Sequence, residues 1–427
     1  MANAQPNIVV IITDDMRNSD WRALPKTQNL IADRGTRFPN FFLTTPVCSP
    51  SRASILTGRY AHNHGVLANT GSKGGFAAFS KQKLGNQTIT ATLKDAGYRT
   101  GLFGKFINGA PEEGVIPGGW DDWLVTTTLD YYRPSFNDHG TARHDNDPDA
   151  YVTDVLIDRA LQFLGDVRPD DPFLMFFTPK APHGPSTPAR RDRRAFSGAR
   201  VERSPDFAER DVASKPAAVR AERIPNPGGL DVLEQRRLAS LVAVDDAVER
   251  LIGAVENRGR LENTYFFVLS DNGYSLGNHR QVGKGSPYRS AAQVMMAARG
   301  PRFRVGTTDE RVVANIDLAP TIAEVARVSI PKADGMSLLR EVTRQAVLLE
   351  ELREGSRFRA VRTADLLYVE NPHDERELYR YPSDPYEMDN LLADWSGFSP
   401  TPEAETIGAD LHAELERLKS CSGEQCR

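Results

Sequence analysis

Cysteine is scarce, with three in 427 residues, too few for a disulfide framework. Cys421 and Cys426 stand close together in the polar tail CSGEQC, where they read as two exposed thiols, or as a pair if the protein is exported. Cys48 is then the one cysteine in the body of the chain. Long apolar runs are also missing, and nothing approaches the ~20 residues that span a bilayer. No basic excess is present: 53 Lys and Arg against 57 Asp and Glu leave a net charge of -4, which argues against a dedicated nucleic-acid binder. The opening MANAQPNIVVIITDD enters an apolar run at once, without the layout of a signal peptide. The expected location is cytoplasmic, or secreted or periplasmic if a leader has been removed. Internal repeats are absent.

What remains is an ordinary globular composition, 40% hydrophobic and 26% charged. IVVII at 8–12 is a continuous β-branched run, as expected for a strand buried on both faces of a parallel sheet. YRTGLFGK (98–105), PFLMFFTP (172–179) and TYFFVLSDNG (264–273) read as further strands, each followed by polar residues and Gly or Pro. LPKTQNLIADRG reads as a helix stopped by Gly35. Leu241, Val244, Val248, Leu251 and Val255 mark a helix from about Leu233 to Arg258, ended by Gly259. Alternating strands and helices predict an α/β fold around a mostly parallel sheet. Ligands of such sheets gather beyond the strands' carboxyl ends, and here the polar residues after four strands would converge there. After about Arg344, short alternating runs with turn signals predict a small antiparallel subdomain, giving units at 1–344 and 345–427. Within the first unit, between Ser186 and Arg223, the arginine-rich ARRDRRAFSGARVER is either a solvated loop or a rim that attracts an anionic substrate.

Two adjacent carboxylates, Asp14 and Asp15, end the first strand. Close carboxylates repel unless a cation sits between them; the alternative is a helix N-cap with a solvated neighbour. Asp271 and Asn272 follow another buried strand in SDNG. Oxygen ligands from two strand ends suit a hard cation, Ca²⁺ first and Mg²⁺ second. In CSPSRASILTG, Pro50 suits a first helical turn and Gly58 an end, placing Cys48 at a helix N-terminus. Arg52 lies one turn on, able to reach back. That position would lower a thiol pKa, so a cysteine nucleophile is one reading and a buried structural cysteine the other.

CSPSRASILTG resembles the signature of the type I sulfatases, in which the cysteine is oxidised to formylglycine. The likeness also covers PNIVVIITDD, GYRTGLFGKF, APHGP, LSDNGYSLGNH, GPRF and ELYRYPSDPYEMDNL. It implies an alkaline-phosphatase-like fold and a sulfuric ester hydrolase. By position it implies Asp14, Asp15, Asp271 and Asn272 as metal ligands, with the Cys48-derived group completing the shell. Arg52 would stabilise the nucleophilic oxygen, Lys105 and Lys284 would hold the sulfate, and His183 would serve the leaving oxygen. A formylglycine-generating enzyme is then the implied partner in maturation, since the aldehyde's hydrate can attack sulfur and afterwards expel sulfate.

GKFING has Ile107 where many sulfatases carry histidine, and resembles instead the N-acetylglucosamine-6-sulfatases and endosulfatases, which would put Asn108 near the nucleophile. VGKGSPYRSAAQVMMAARGP departs from the usual pattern after the second lysine. The expected substrate is a sulfated sugar such as N-acetylglucosamine 6-sulfate, or an aryl sulfate. The alternatives are a phosphonate monoester or phosphodiester hydrolase on the same scaffold, and an unconverted protein that binds anionic glycans. His62, His64 and His279 are expected in supporting or structural roles.

Overall fold

The computed structural model describes residues 5–111, 113–341, 344–353 and 358–427. The β-branched run forms β1 (Asn7–Thr13), buried throughout. Its residues alternate between two apolar layers. Ile8, Val10 and Ile12 face one that includes Ile55 and Ile322, while Val9 and Ile11 face one that includes Leu241, Val248 and Phe163. A strand buried on both faces therefore needs no polar alternation, which is why it reads as a solid apolar word.

The other strands of the central sheet include β2 (Thr36–Phe42), β3 (Arg99–Gly104), β4 (Asp122–Thr126), β5 (Ser135–Asp138), β6 (Thr141–His144), β7 (Phe173–Thr178) and β8 (Thr264–Ser270). Strand Gln293–Arg299 and the short Thr307–Thr308 complete the order Thr307–Thr308, β2, Gln293–Arg299, β8, β1, β7, β3, β4, β5, β6. From β8 through β4 the strands run parallel, and Gln293–Arg299 runs against both β8 and β2. The carboxyl ends of β8, β1, β7 and β3 thus lie side by side on one edge, as expected of a mostly parallel sheet.

The approach of β3 to β7 is close. A Cβ on Gly104 would stand 2.1 Å from the Thr178 carbonyl oxygen, while the next amide, of Lys105, donates to that same oxygen at 2.8 Å. Only hydrogen fits at position 104.

The long helix runs Pro227–Asn257, starting six residues before the expected Leu233, with Asn226 capping its first turn and Gly259 just beyond its end. LPKTQNLIADRG is helical over Pro25–Ala32, with its second half wound as a wider π-turn. After Arg344 comes an antiparallel sheet of Val347–Glu351, Phe358–Arg362, Leu366–Glu370 and Arg376–Arg380, packed against helix Pro402–Leu418. It is joined to the central body where the Glu350 amide donates to the Thr44 carbonyl at 2.8 Å.

Two exposed tail thiols do not occur. Cys421 and Cys426 are buried and disulfide-bonded, because the tail folds back on the turn after the Cys48 helix. There the Cys421 carbonyl accepts from Asn63 Nδ2 at 2.9 Å and His62 Nε2 at 3.1 Å. In the arginine-rich connection Arg190 pairs with Asp149, Arg191 with Asp154 and Arg203 with Asp231. Among the described residues no helix is long and apolar enough to cross a membrane.

Candidate active site

Asp14 and Asp15 emerge where β1 ends, and neither caps a helix. Asp14 takes up the line of β7 by donating its amide to the Ala181 carbonyl at 3.3 Å. Asp15 turns into the left-handed region (φ 71°), so its amide meets Asp271 Oδ1 at 3.2 Å and its carbonyl accepts from Arg237 Nη2 at 2.5 Å. From β8, Asn272 Nδ2 donates to Asp15 Oδ1 at 2.6 Å. Asn272 Oδ1 is buried and accepts no hydrogen bond. Three carboxylates and a spare amide oxygen therefore gather in one buried space.

Cys48 stands in the first turn of helix Cys48–Thr57, which Gly58 ends in the left-handed region. Its Sγ lies 3.5 Å from Asp14 Oδ1 and accepts from Lys284 Nζ at 2.7 Å. Ser49, next to it, is held by Asn69 Oδ1 on its amide at 2.8 Å and by Asn108 Oδ1 on its hydroxyl at 3.0 Å. Asn108 does lie beside the nucleophile turn. Arg52 bonds the neighbouring strand ends: Nε donates to Asp271 Oδ2 and Nη1 to the Lys105 carbonyl, both at 2.7 Å, and buried Nη2 is without a protein acceptor.

Lys105, just past β3, donates to Asp14 Oδ2 at 2.5 Å. Lys284 bonds Asp15 Oδ1 as well as the sulfur. His183 follows β7; its Nε2 is 3.9 Å from Asp15 Oδ2, and Nδ1 faces the Gly184 carbonyl at 2.8 Å. The ligand atoms of Asp14, Asp15, Cys48 and His183 all lie within 4.8 Å of one another. All nine residues singled out in the sequence come together here.

Charge states follow from this packing. Burial opposes ionisation of Asp14, but Lys105, His183, Lys284 and Arg52 outweigh it and hold the carboxyl well below its ordinary range. Asp271 moves the other way, raised by burial and by Asp14 against the pull of Arg52. Both lysines stay cationic: burial works against Lys105 and Lys284, and Asp14 and Asp15 respectively overcome it. Burial first, then Asp14, pushes the Cys48 thiol up to about 12, the direction opposite to that of a helix N-terminus. A protonated, buried thiol is a poor nucleophile.

The donor set fits a hard divalent cation. Asp14, Asp15, Asp271 and the unpartnered Asn272 Oδ1 offer oxygens only, the chemistry that Ca²⁺ and Mg²⁺ select. Sequence reasoning missed Asn69, Arg237 and Tyr131, whose hydroxyl donates to the His183 carbonyl at 2.6 Å. No spacing rule points to them, since each acts across a large separation in sequence. His62, His64 and His279 stand outside the cluster, against Glu350, Ser54 and Glu209 respectively.

Residues 6–328 match the Sulfatase family as a whole. This chain belongs to the sulfatase family. The human N-acetylglucosamine-6-sulfatase is 32% identical over 484 residues, covering 99% of this chain and 86% of that one. A putative extracellular sulfatase of Caenorhabditis elegans is 32% identical over 356 residues, covering 80% of this chain and 49% of that one. In fold it is similar to a protein solved with its substrate D-glucosamine-2-N,6-O-disulfate (TM-score 0.83, 24% identity, 96% and 98% of the two chains). It also resembles the phosphonate monoester hydrolase of Agrobacterium radiobacter (TM-score 0.75, 20% identity, 98% and 96%). The fold is thus alkaline-phosphatase-like, and this sulfatase is a sulfuric ester hydrolase. Family membership implies a divalent-metal site and a formylglycine.

Proposed function

We propose that this sulfatase removes sulfate from a sulfated sugar, of the N-acetylglucosamine 6-sulfate type, using a formylglycine made from Cys48. The observation that carries this reading is the setting of Cys48: a buried protonated thiol among three carboxylates, Arg52 and two lysines. An ordinary thiol there attacks nothing, whereas conversion removes the sulfur. The relatives named for N-acetylglucosamine-6-sulfatase activity support the choice of sugar. Residues 1–344 form the catalytic unit and 345–427 the smaller C-terminal one.

Asp14, Asp15, Asp271 and Asn272 hold the cation, Ca²⁺ with Mg²⁺ as the alternative. The cation supplies Lewis-acid polarisation and charge neutralisation. A formylglycine at position 48, held beside Asp14, Lys284 and Arg52, would supply a hydrated aldehyde whose two hydroxyls suit attack on sulfur and later release of sulfate. Arg52, fixed by Asp271 and the Lys105 carbonyl, turns its free Nη2 to the negative charge that develops beside it. Lys105 and Lys284 exchange their carboxylate partners for sulfate oxygens when substrate enters. His183, with Nδ1 tied to Gly184, presents Nε2 to the leaving oxygen and donates its proton there. The disulfide supports an oxidising compartment, secreted or periplasmic, and maturation needs a formylglycine-generating enzyme.

The test is the mass of the tryptic peptide 38–52, FPNFFLTTPVCSPSR. Exchange of sulfur for a carbonyl oxygen in active protein supports the reading, and an intact thiol in fully active protein refutes it. Cys48→Ala is expected to keep the fold and lose turnover, measured on aryl and sugar sulfates beside matched phosphonate esters.

A further inference from the structure

His183 is held by residues that lie about fifty positions upstream. The turn that carries it is short: the His183 amide donates to the Lys180 carbonyl at 2.9 Å, and the Ser186 amide donates to the His183 carbonyl at 3.0 Å. Tyr131, 2% exposed, sends its hydroxyl to that same His183 carbonyl at 2.6 Å. Lys180, also 2% exposed, sends its ammonium the opposite way. Nζ donates to the carbonyls of Thr128 (3.2 Å) and Asp130, and sits 5.0 Å from the centre of the Tyr131 ring. Each turn therefore grips the other: the tyrosine of the first reaches the second, and the lysine of the second reaches the first. Tyr151 backs both, its ring tilted 36° to that of Tyr131 at 5.9 Å and its hydroxyl on the Thr187 carbonyl at 3.0 Å.

Burial pushes the Lys180 amine down to about 7, and a buried amine, charged or neutral, is costly unless its protons are used. The hydrogen bonds of Lys180 Nζ go to the Thr128 and Asp130 backbone carbonyls. Its contacts fix the segment that aims Tyr131, and Tyr131 fixes the peptide next to the imidazole. We infer that Tyr131 and Lys180 are positioning residues for proton donation by His183. They hold Nε2 where the leaving oxygen departs, and neither touches substrate. This inference rests on the reading of His183 as the general acid.

Proton donation matters in proportion to how poor the leaving group is. A nitrophenolate leaves without help, whereas a sugar alkoxide does not. The test compares kcat on 4-nitrophenyl sulfate and on N-acetylglucosamine 6-sulfate for the formylglycine-bearing enzyme and its Tyr131→Phe, Lys180→Met and His183→Ala variants. His183→Ala is expected to lose on the order of 10²-fold on the sugar ester and far less on the aryl ester. Tyr131→Phe, which deletes one hydroxyl, is expected to lose about tenfold on the sugar ester, as a displacement of under 1 Å does, and under about twofold on the aryl ester. In the His183→Ala background it should cost nothing further.

Retained aryl-ester turnover is the control for folding, and Tyr131→Phe carries the test if Lys180→Met does not fold. Equal losses on both esters, or a full loss added on top of His183→Ala, would overturn the positioning role. If His183→Ala itself slows both esters equally, the general-acid reading fails and the inference goes with it. A selective His183→Ala beside an unselective Tyr131→Phe sinks the inference alone.

Discussion

His279 ties three parts of the chain together, and its protonation can be read as stability. The imidazole is buried, with Nδ1 2.7 Å from Glu209 Oε2 and Nε2 3.9 Å from Glu387 Oε2. The second distance is too long for a hydrogen bond, so Glu209 does most of the work and Glu387 adds charge. Burial opposes the cation, but Glu209 and Glu387 outweigh it and raise the imidazole from 6.5 to about 8. At about 1.4 kcal/mol per pH unit, that gap stabilises the folded chain by about 2 kcal/mol. Because the folded value is the higher one, the contribution is complete below pH 6.5 and is lost as pH rises through 8. Glu351, raised by burial to about 7, moves stability in the same direction over the lower part of that window. The assignment therefore lies in the difference between wild type and His279→Gln. Urea unfolding at about pH 6 and about pH 9 should show the wild type losing about 2 kcal/mol more than the variant. An identical pH dependence in both proteins would refute the reasoning.

If Lys105 and Lys284 hold the sulfate as proposed, Lys105→Ala or Lys284→Ala should lower kcat by about 10²- to 10³-fold, the effect of one preorganised charge donor; steady-state kinetics on a sulfate ester will show it. Treatment with a chelator should abolish turnover and lower the melting temperature at neutral pH, because Asp14, Asp15 and Asp271 then repel; added Ca²⁺ should restore both. Cys421→Ser opens a loop of five-residue separation and should cost about 2 kcal/mol by the chain-entropy relation, seen as a denaturation midpoint that no longer responds to reductant.

Much of the site was legible because its residues sit at strand ends. An uninterrupted apolar run followed at once by Asp14 and Asp15, or by Asp271 and Asn272, states both where the strand is and where it stops. Pro50 and Gly58 bracket the Cys48 helix in the same local way. The failures were of another kind. The direction of the Cys48 shift depends on burial and on Asp14, thirty-four residues away, not on its place in the helix. The Cys421–Cys426 pair is settled by the tail folding onto His62 and Asn63, and the grip of Tyr131 on His183 spans fifty-two residues. Contacts of that reach leave no periodicity. The partners of Arg190, Arg191 and Arg203 were illegible for a related reason: the acids that pair with them lie in distant segments.

The missing side chain at position 104 governs how this scaffold can diverge. Lys105 and the His183 turn belong to neighbouring strands that touch there with no room for a methyl group. Lys105 and the His183 turn are therefore held at one spacing there, and a residue inserted between their strands would widen it. Variation is left to the outer turns that meet the rest of the ester. A lineage built on this sheet can change the molecule it recognises while the spacing of Lys105 from the His183 turn stays constant.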